Sequence, residues 1–397
     1  MRKAKWVLIL MLAVFILAFS VTVFAGGKKE TATEGKTSVK LGLLIPLTQM
    51  ASIFGDSMLN SAKAAIEEYN NSDGKFFIQY FVEDTATNPE IGAQKANKLI
   101  DQVKVDAIIG TLFTSVRQAV FNVTSKKKVI YMNPTYDAGG LCDKYYFSTG
   151  AVINQQFGEF IPWIIKKFGK KFYLLGSDYA WPRESFALAK EIIKREGGII
   201  VGEEYIGFGI PDFSDVIRRI VEADPDTLIP LVAGTDGVTF TKQWVDFGLK
   251  EKIAYCASGF TESSTIGMDP ESADGIYAFA DYFMTVDTPE NKKFLDNYHK
   301  AAGKDDLVDL FGVNMYNNIH LYTQALEKAG TKDKDAVAKA LEGMHFKSPA
   351  GEIWIDPDNH YTHLRSFIGV SKKEIWPLFE IVEDFGIIPP DPKCTNR

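Results

Sequence analysis

Two hydrophobic patterns alternate along the chain, one with the period of a strand and one with the period of a helix. A mostly apolar run at 39–47 is followed by a stretch at 56–69 in which apolar residues recur at helical spacing. The alternation then predicts strands at 76–82, 106–109 and 129–132, with helices at 89–103 and 115–125 between them. Strands and helices joined by such short connections are typical of a parallel, doubly wound sheet.

The same alternation restarts after Asn154. It predicts a helix at 156–168, a strand at 171–175 and a helix at 183–196 that ends at Gly197 and Gly198. Strands at 199–206, 227–232 and 253–257 and helices at 213–223 and 237–247 continue it. Two successive units of similar size predict an α/β protein with two Rossmann-like lobes, each built on a parallel sheet.

The last third of the chain is first helical and then strand-forming. Helices are predicted at 290–302, 308–329 and 333–341, and strands at 352–355, 364–370 and 375–382. Such a tail crosses back to complete both lobes, and we expect crossings near Asn154, Asp281 and Ser348, which together form a three-crossing hinge. We therefore assign 39–154 and 282–347 to lobe I, and 155–281 and 348–390 to lobe II.

The amino terminus differs from the rest of the chain. Arg2, Lys3 and Lys5 precede an uncharged apolar run at 6–19, and small residues at positions 23 and 25 follow it. This arrangement predicts a signal peptide at 1–25, followed by a flexible leader at 26–38. The alternative is a membrane anchor, but the apolar run is shorter than the ~20 residues that span a bilayer. We expect a periplasmic or secreted protein, soluble after cleavage.

Net charge and cysteine content limit the binding partners, metal sites and disulfides that the sequence predicts. The 397 residues carry a formal net charge of −7, and no basic patch suits nucleic acid. Three cysteines at wide spacing form neither a disulfide framework nor a zinc pattern. Buried free thiols are the ordinary interpretation for Cys142 and Cys256, with a bridge between Cys142 and Cys394 left open.

The sequence offers little for catalysis. His299 and His320 lie on amphipathic helices, and the i, i+3 pair His360 and His363 lies in a loop before a strand, where a structural role is far more common than metal binding. The chain contains no G-x-S-x-G, Walker or H-E-x-x-H motif. We therefore predict a protein that is not an enzyme and needs no cofactor or metal.

Polar residues follow the predicted strands at the edge where open α/β sheets bind ligands. In the first lobe, Thr114 or Ser115 is a natural N-cap, and the spare N–H groups of that helix end attract a carboxylate or carbonyl oxygen. The next strand ends at Asn133, Thr135 and Tyr136. A helix cap that binds no ligand explains the Thr114 segment equally well.

The second lobe supplies the opposite wall. Tyr179 and Trp181 lie in a strand-to-helix loop, where two aromatic rings need a partner to stack on. Thr235, Asp236 and Glu262 follow two further strands. Together these residues predict a pocket for a small ligand that has both hydrogen-bond donors and acceptors.

At these loops the sequence resembles the type I periplasmic solute-binding proteins of the branched-chain amino acid transport group, and most of all their urea- and short-chain-amide-binding branch. The similarity spans about 39–392 and is most specific at 150–156 (GAVINQQ), 176–184 (GSDYAWPRE) and 388–392 (IPPDP); the opening 41–48 (LGLLIPLT) is shared more widely. Leu112 and Asn133 stand where amide-binding members tend to carry tyrosine, which leaves amino acids open as ligands.

The resemblance implies a role for six of the candidate residues. It places Thr114, Asn133 and Thr135 on the first-lobe wall. Trp181 takes the position of the aromatic residue that covers the ligand, while Asp236 and Glu262 fall near the polar contacts of the second lobe.

These observations predict an extracytoplasmic substrate-binding protein of an ABC transporter. It would capture a small polar solute, such as an amino acid, an amide or urea, between two closing lobes and present it to the permease subunits in the membrane. The alternative is a ligand-sensing regulator of the amide-sensor type with the same fold, which acts inside the cell. The predicted signal peptide disfavours it.

Export can be tested directly. We expect natively produced protein to begin at or near Gly26, because cleavage follows the small residue Ala25. N-terminal sequencing or intact mass measurement gives the answer. A chain that keeps Met1, or that stays in the membrane fraction, would contradict the signal-peptide assignment.

Overall fold

The computed structural model of the chain describes residues 35–393, so the signal-peptide prediction for 1–25 and most of the leader at 26–38 lie outside the described residues. The first sheet has five parallel strands in the order β2-β1-β3-β4-β5. These strands are β1 (Thr37–Ile45), β2 (Phe76–Asp84), β3 (Ala107–Gly110), β4 (Ile130–Asn133) and β5 (Tyr146–Ser148). The central strands β3 and β4 are buried along their whole length, which agrees with their mainly apolar sequence.

Helices connect the strands of this first sheet. They are α1 (Gly55–Asn70), α2 (Pro89–Lys98), which a π-helical turn extends over Leu99–Val103, and α3 (Thr114–Lys127). Asn88 caps α2 by accepting a hydrogen bond from the Ile91 N–H. Crossover helices of this kind cover both faces of a parallel sheet, and they leave the carboxyl ends of the strands open at one edge.

The second sheet has a parallel part that repeats this design, in the order β7-β6-β8-β9-β10. Its strands are β6 (Lys171–Ser177), β7 (Ile199–Ile206), β8 (Thr227–Leu231), β9 (Ala254–Ser258) and β10 (Tyr277–Ala280). Its helices are α4 (Ile153–Phe157), α5 (Phe160–Phe168), α6 (Ala180–Arg195), α7 (Ser214–Glu222), α8 (Gly234–Asp246), α9 (Glu262–Thr265) and α10 (Pro270–Ala273).

The carboxyl-terminal third adds helices to the first lobe and strands to the second sheet. Helices α11 (Pro289–Ala301), α12 (Leu310–Ala329) and α13 (Lys334–Leu341) come first, and α11 and α12 pack against α1. Strands β11 (His345–Ser348), β12 (Gly351–Ile355), β13 (Thr362–Ser371) and β14 (Phe379–Ile388) then extend the second sheet in antiparallel fashion from β10. The Ser148 N–H donates to the His360 carbonyl at 3.1 Å, which ties β5 to the start of β13.

The structure confirms the predicted fold class, an α/β protein with two lobes built on largely parallel sheets. The lobe boundaries drawn from the sequence stay a prediction. Several helices begin earlier than predicted: α6 at Ala180 instead of 183 and α8 at Gly234 instead of 237. Between residues 35 and 393, no helix is both long and apolar enough to cross a membrane.

The cysteines have different environments. Cys256 is a buried free thiol in β9, and burial raises its pKa. Cys142 is disulfide-bonded, so the expectation of a free thiol at this position is wrong. Cys394, the other residue of the bridge that the sequence left open, lies outside the described residues.

Three buried carboxyl groups lie near the passage from β10 to α12. An oxygen of Glu262 accepts from the Met284 N–H at 2.7 Å, one of Asp281 from the Asn314 amide at 2.8 Å, and one of Asp309 from the Ser57 hydroxyl at 3.0 Å. The second oxygen of each carboxyl has no partner among the described residues. Burial raises the pKa of Glu262 to about 8 and that of Asp281 to about 7. Near neutral pH, the fold therefore favours protonated carboxyl groups here.

This burial makes stability depend on pH. The folded-state pKa of Glu262 lies above its unfolded value of 4.5, so the folded chain holds a proton that the unfolded chain has lost, and stability falls as pH rises from about 4.5 to about 8. In Glu262→Gln the neutral amide removes this contribution. We expect the variant to lose less melting temperature between pH 5 and pH 8, by at least about 2 °C.

Thermal melts of the ligand-free protein across this pH range measure the effect. Glu251→Gln, at an exposed glutamate, is the matched control and should follow the wild-type curve. Parallel curves for wild type and Glu262→Gln would contradict the assignment.

Candidate ligand-binding site

A cavity lies between the carboxyl-terminal edges of the two sheets. The cavity has a volume of about 90 Å³, counted as the space that the centre of a water molecule can occupy. The first lobe and the helices packed on it contribute Phe54, Leu112, Phe113, Thr114, Thr135, Tyr136 and Phe311. The second lobe contributes Tyr179, Trp181, Pro230, Leu231, Val232, Ala233, Gly234, Gly237, Val238, Tyr255, Ala257, Ser258, Gly259, Phe260 and Ser264. The lining is mainly aromatic and aliphatic, with four hydroxyl side chains besides the tyrosines.

The amino-terminal end of α3 forms one wall. The N-cap is Phe113, with extended backbone at φ −72° and ψ 143° and no capping side chain, so the expectation that Thr114 or Ser115 caps this helix is wrong. Thr114 instead occupies the first helical position, lines the cavity and is 2% exposed. Its hydroxyl has no partner in the described part of the chain. The N–H groups of the first turn also lack helical partners, as at every helix start.

Thr135 and Asn133 continue this wall. The Thr135 hydroxyl contacts the Leu112 carbonyl at 3.1 Å and the Asn133 side-chain oxygen at 3.0 Å. Asn133 is fully buried behind it, donates to the Thr135 carbonyl at 2.7 Å, and does not line the cavity. Because the Thr135 hydroxyl donates its proton to acceptors within the wall, this hydroxyl can act towards a ligand only as a hydrogen-bond acceptor.

A buried ion pair holds Tyr136 in place. Arg117, on α3, donates to the Tyr136 carbonyl at 2.8 Å and pairs with Asp137 at 3.0 Å. Both charged side chains are almost fully buried. The Tyr136 ring lines the cavity, and its hydroxyl donates to the Phe279 carbonyl of β10 at 3.3 Å. A side chain of the first lobe therefore bonds directly to the second sheet.

Trp181 faces Tyr136 from the second lobe. It lies in the first turn of α6 rather than in a loop, because Pro182 is tolerated where N–H groups have no helical acceptor. The indole N–H donates to the Gln156 side-chain oxygen at 3.2 Å, and the ring centroid is 6.0 Å from that of Tyr136. Trp181 thus contributes an aromatic face to the cavity, while its polar edge is occupied.

Helix α8 turns two candidate residues away from the cavity. Because α8 begins at Gly234, positions 234, 237 and 238 share the face that lines the cavity, whereas Thr235 and Asp236 point elsewhere. An Asp236 oxygen accepts from the Gly209 N–H at 2.7 Å. Glu262 also does not line the cavity, since it is buried against the Met284 backbone.

Gly234 lies at a close approach between the two lobes. Its φ is +56°, and a Cβ at this position would lie 2.5 Å from the Met50 carbonyl oxygen of the first lobe. Such a contact is too short for any other residue. Glycine at 234 therefore allows α8 to reach the opposite lobe.

Of the eight candidate residues, Thr114, Thr135, Tyr136 and Trp181 line the cavity, and Asn133, Thr235, Asp236 and Glu262 do not. Sequence reasoning missed most of the aromatic lining. Phe54, Tyr255, Phe260 and Phe311 come from three separate segments, and nothing in the local sequence predicts that these segments meet.

The histidine pair has structural partners. His363 contacts Asp356 at 3.1 Å, and His360 contacts the Tyr146 carbonyl at 3.2 Å. Within the described ranges, no group of three or more histidine, cysteine, aspartate or glutamate side chains could hold a metal ion.

Comparison with known proteins identifies the family. The family model described as periplasmic binding protein matches residues 38–373. The Leu/Ile/Val-binding protein homolog 6 of Brucella melitensis is 25% identical over 330 residues, covering 81% of this chain and 85% of the relative. The leucine-, isoleucine-, valine-, threonine-, and alanine-binding protein of Pseudomonas aeruginosa is 23% identical over 334 residues, covering 80% of this chain and 86% of the relative.

Solved structures share the fold. A solute binding protein of an ABC transporter from Rhodopseudomonas palustris, in complex with 3,4-dihydroxy benzoic acid, is 25% identical with a TM-score of 0.81, over 90% of this chain and 99% of that one. The LivJ protein of Streptococcus pneumoniae, in complex with isoleucine, is 20% identical with a TM-score of 0.78, over 89% of this chain and 100% of that one. With a family model that spans most of its length, the chain belongs to the periplasmic binding proteins and has their type I fold.

Proposed function

We propose that this chain is an exported substrate-binding protein that captures a small solute between its two lobes and delivers it to the permease subunits of an ABC transporter. The observation that carries the proposal is the cavity whose walls come from both lobes. A ligand there touches both lobes at once, so it stabilises the closed arrangement over an open one.

The first lobe offers a ligand oxygen a place to bind. Helix α3 presents first-turn N–H groups and the positive end of its dipole to the cavity, and the Thr114 hydroxyl beside them has no protein partner in the described chain. A carboxylate or carbonyl oxygen at this position would satisfy these donors.

The rest of the cavity suits a solute with an apolar body. Eight aromatic side chains line it, and aromatic walls bind apolar groups through burial and stacking. Among the solutes expected from the sequence, an amino acid with an apolar side chain therefore fits better than urea or a short amide, whose surfaces are mostly polar. Isoleucine and hydroxybenzoates bound to related proteins are consistent with this reasoning.

The two lobes also contact each other directly, through three aromatic side chains that we call the aromatic seam: Phe113, Tyr179 and Phe208. Phe113 of the first lobe stacks on Tyr179 of the second, with ring centroids 5.2 Å apart, and Phe208 adds a third ring at 5.7 Å from Tyr179. Phe208 is 46% exposed and lies between two glycines. We infer that this seam forms on closure and slows ligand release.

No observation favours the intracellular regulator or an enzyme. The cavity-lining residues of the described chain include no charged side chain to act as a general acid or base. Mass spectrometry of the solute that co-purifies with native protein tests the proposal. Native protein that carries no solute, and binds none from a panel of amino acids and organic acids, would contradict it.

Thr114 provides a direct test of the oxygen site. Thr114→Val keeps the shape of the side chain but removes its hydroxyl, and we expect affinity for the co-purified solute to fall by about 1–3 kcal/mol, because a buried oxygen loses a donor. Since Thr114 is not the N-cap, the melting temperature without ligand should stay at the wild-type value.

Calorimetric titration and thermal melts give the two quantities. Thr114→Ser restores the hydroxyl and should recover most of the affinity. A Val variant that melts earlier but binds as well as wild type would place Thr114 outside the ligand site.

The seam is tested by Phe208→Ala. Aromatic contacts of this kind contribute about 0.5–1.5 kcal/mol, so we expect ligand to dissociate roughly 2–10 times faster. Stopped-flow fluorescence, with Trp181 as the reporter in the cavity, measures the rate. Phe247→Ala is the matched control, because Phe247 is 47% exposed and does not belong to the seam. Equal dissociation rates in the two variants would show that Phe208 does not hold the lobes together.

A further inference from the structure

The amino-terminal ends of helices determine the sign of the electrostatic potential inside the cavity. Three helices of at least nine residues begin at its wall: α3 at Thr114, α6 at Ala180 and α8 at Gly234. None of the three has a capping side chain, and the N-cap residues Phe113, Tyr179 and Ala233 all line the cavity. Each amino-terminal end carries a partial positive charge, so together they favour an anion and disfavour a cation.

No side chain in the cavity wall reverses this sign. The lining residues, all within the described chain, include no aspartate or glutamate. The nearby acids are engaged elsewhere: Asp236, in the first turn of α8, accepts from the Gly209 N–H, Asp281 from the Asn314 amide, and Glu262 from the Met284 N–H. Burial also favours the neutral forms of Asp281 and Glu262, which leaves them little charge to offer a cation.

An amino acid brings a positive charge into such a site. Burial of an ammonium group is strongly unfavourable unless the group is paired with an anion or with several acceptors. In this cavity it would meet three positive helix ends and no carboxylate. By contrast, the site favours the carboxylate of the same solute, because the α3 N–H groups and the Thr114 hydroxyl are donors that can bind it.

We propose that the ligand is a monocarboxylate with an aromatic or branched aliphatic body and no ammonium group. This inference rests on the proposed function and narrows it to a class of substrate. The aromatic lining takes the apolar body, and the end of α3 with Thr114 takes the carboxylate.

Matched pairs of probes test the inference on full-length mature protein stripped of its solute by unfolding and refolding. Two pairs differ only in the ammonium group: 3-phenylpropanoate with L-phenylalanine, and 4-methylpentanoate with L-leucine. A third pair, 4-hydroxybenzoate with 4-hydroxybenzamide, differs in the negative charge. We expect at least one of the three carboxylates to bind at least tenfold more tightly than its partner by calorimetry.

A charge placed in the wall provides a second test. Ser258→Asp puts a carboxylate at the end of β9, where Ser258 lines the cavity. Ser258→Asn has the same shape without the charge. We expect the Asp variant to bind the best carboxylate probe at least tenfold more weakly than the Asn variant, because the two anions repel each other. Equal affinity in the two variants would remove the carboxylate from this cavity.

The outcomes separate the inference from the proposed function. Tighter binding of L-leucine or L-phenylalanine than of their partners overturns the ligand class and leaves the transport role intact. Equal binding of 4-hydroxybenzamide and 4-hydroxybenzoate, with no binding of the other probes, also overturns the ligand class and leaves the transport role intact. Failure of every carboxylate, while native protein carries a different solute, again overturns only the ligand class. A protein that binds no solute at all overturns both.

Discussion

The structure depends on one constraint of parallel sheets, that every connecting helix starts at the same edge where the strands end. The backbone N–H groups of those helix starts have no partners within the helix, so this edge always presents donors and positive potential. Here two sheets place such edges face to face, and the cavity lies between them. Ligand chemistry follows from this backbone arrangement first and from side chains second.

The side chains decide what the backbone donors can bind. Arg117 and Asp137 neutralise each other inside the first lobe, so their charges fix the Tyr136 segment without adding a net charge to the cavity. Aromatic rings exclude water from the remaining space. A site with hydrogen-bond donors at one end and apolar walls elsewhere orients a solute through one polar group. The apolar part of the solute is then buried between the lobes.

The sequence predicts the architecture well, because strand and helix periods alternate cleanly over most of the chain. It predicts the site only in part, and the reasons are local. Pro182 and Gly234 look like breaks between elements, yet both lie inside first helical turns. That shift of a few residues moves Thr235 and Asp236 off the cavity face. The aromatic lining escapes prediction for a different reason: its members, such as Phe54 and Phe311, are distant in sequence and come into contact only in the folded chain.

Gly234 has a consequence for how such a protein can diverge. Its missing side chain allows the close approach between α8 and Met50, and Gly234 also lines the cavity. A larger residue there would act as a spacer whose thickness limits how far the lobes approach. A substitution at this position would thus change affinity through the distance between the lobes, and not through a hydrogen bond between its side chain and the solute.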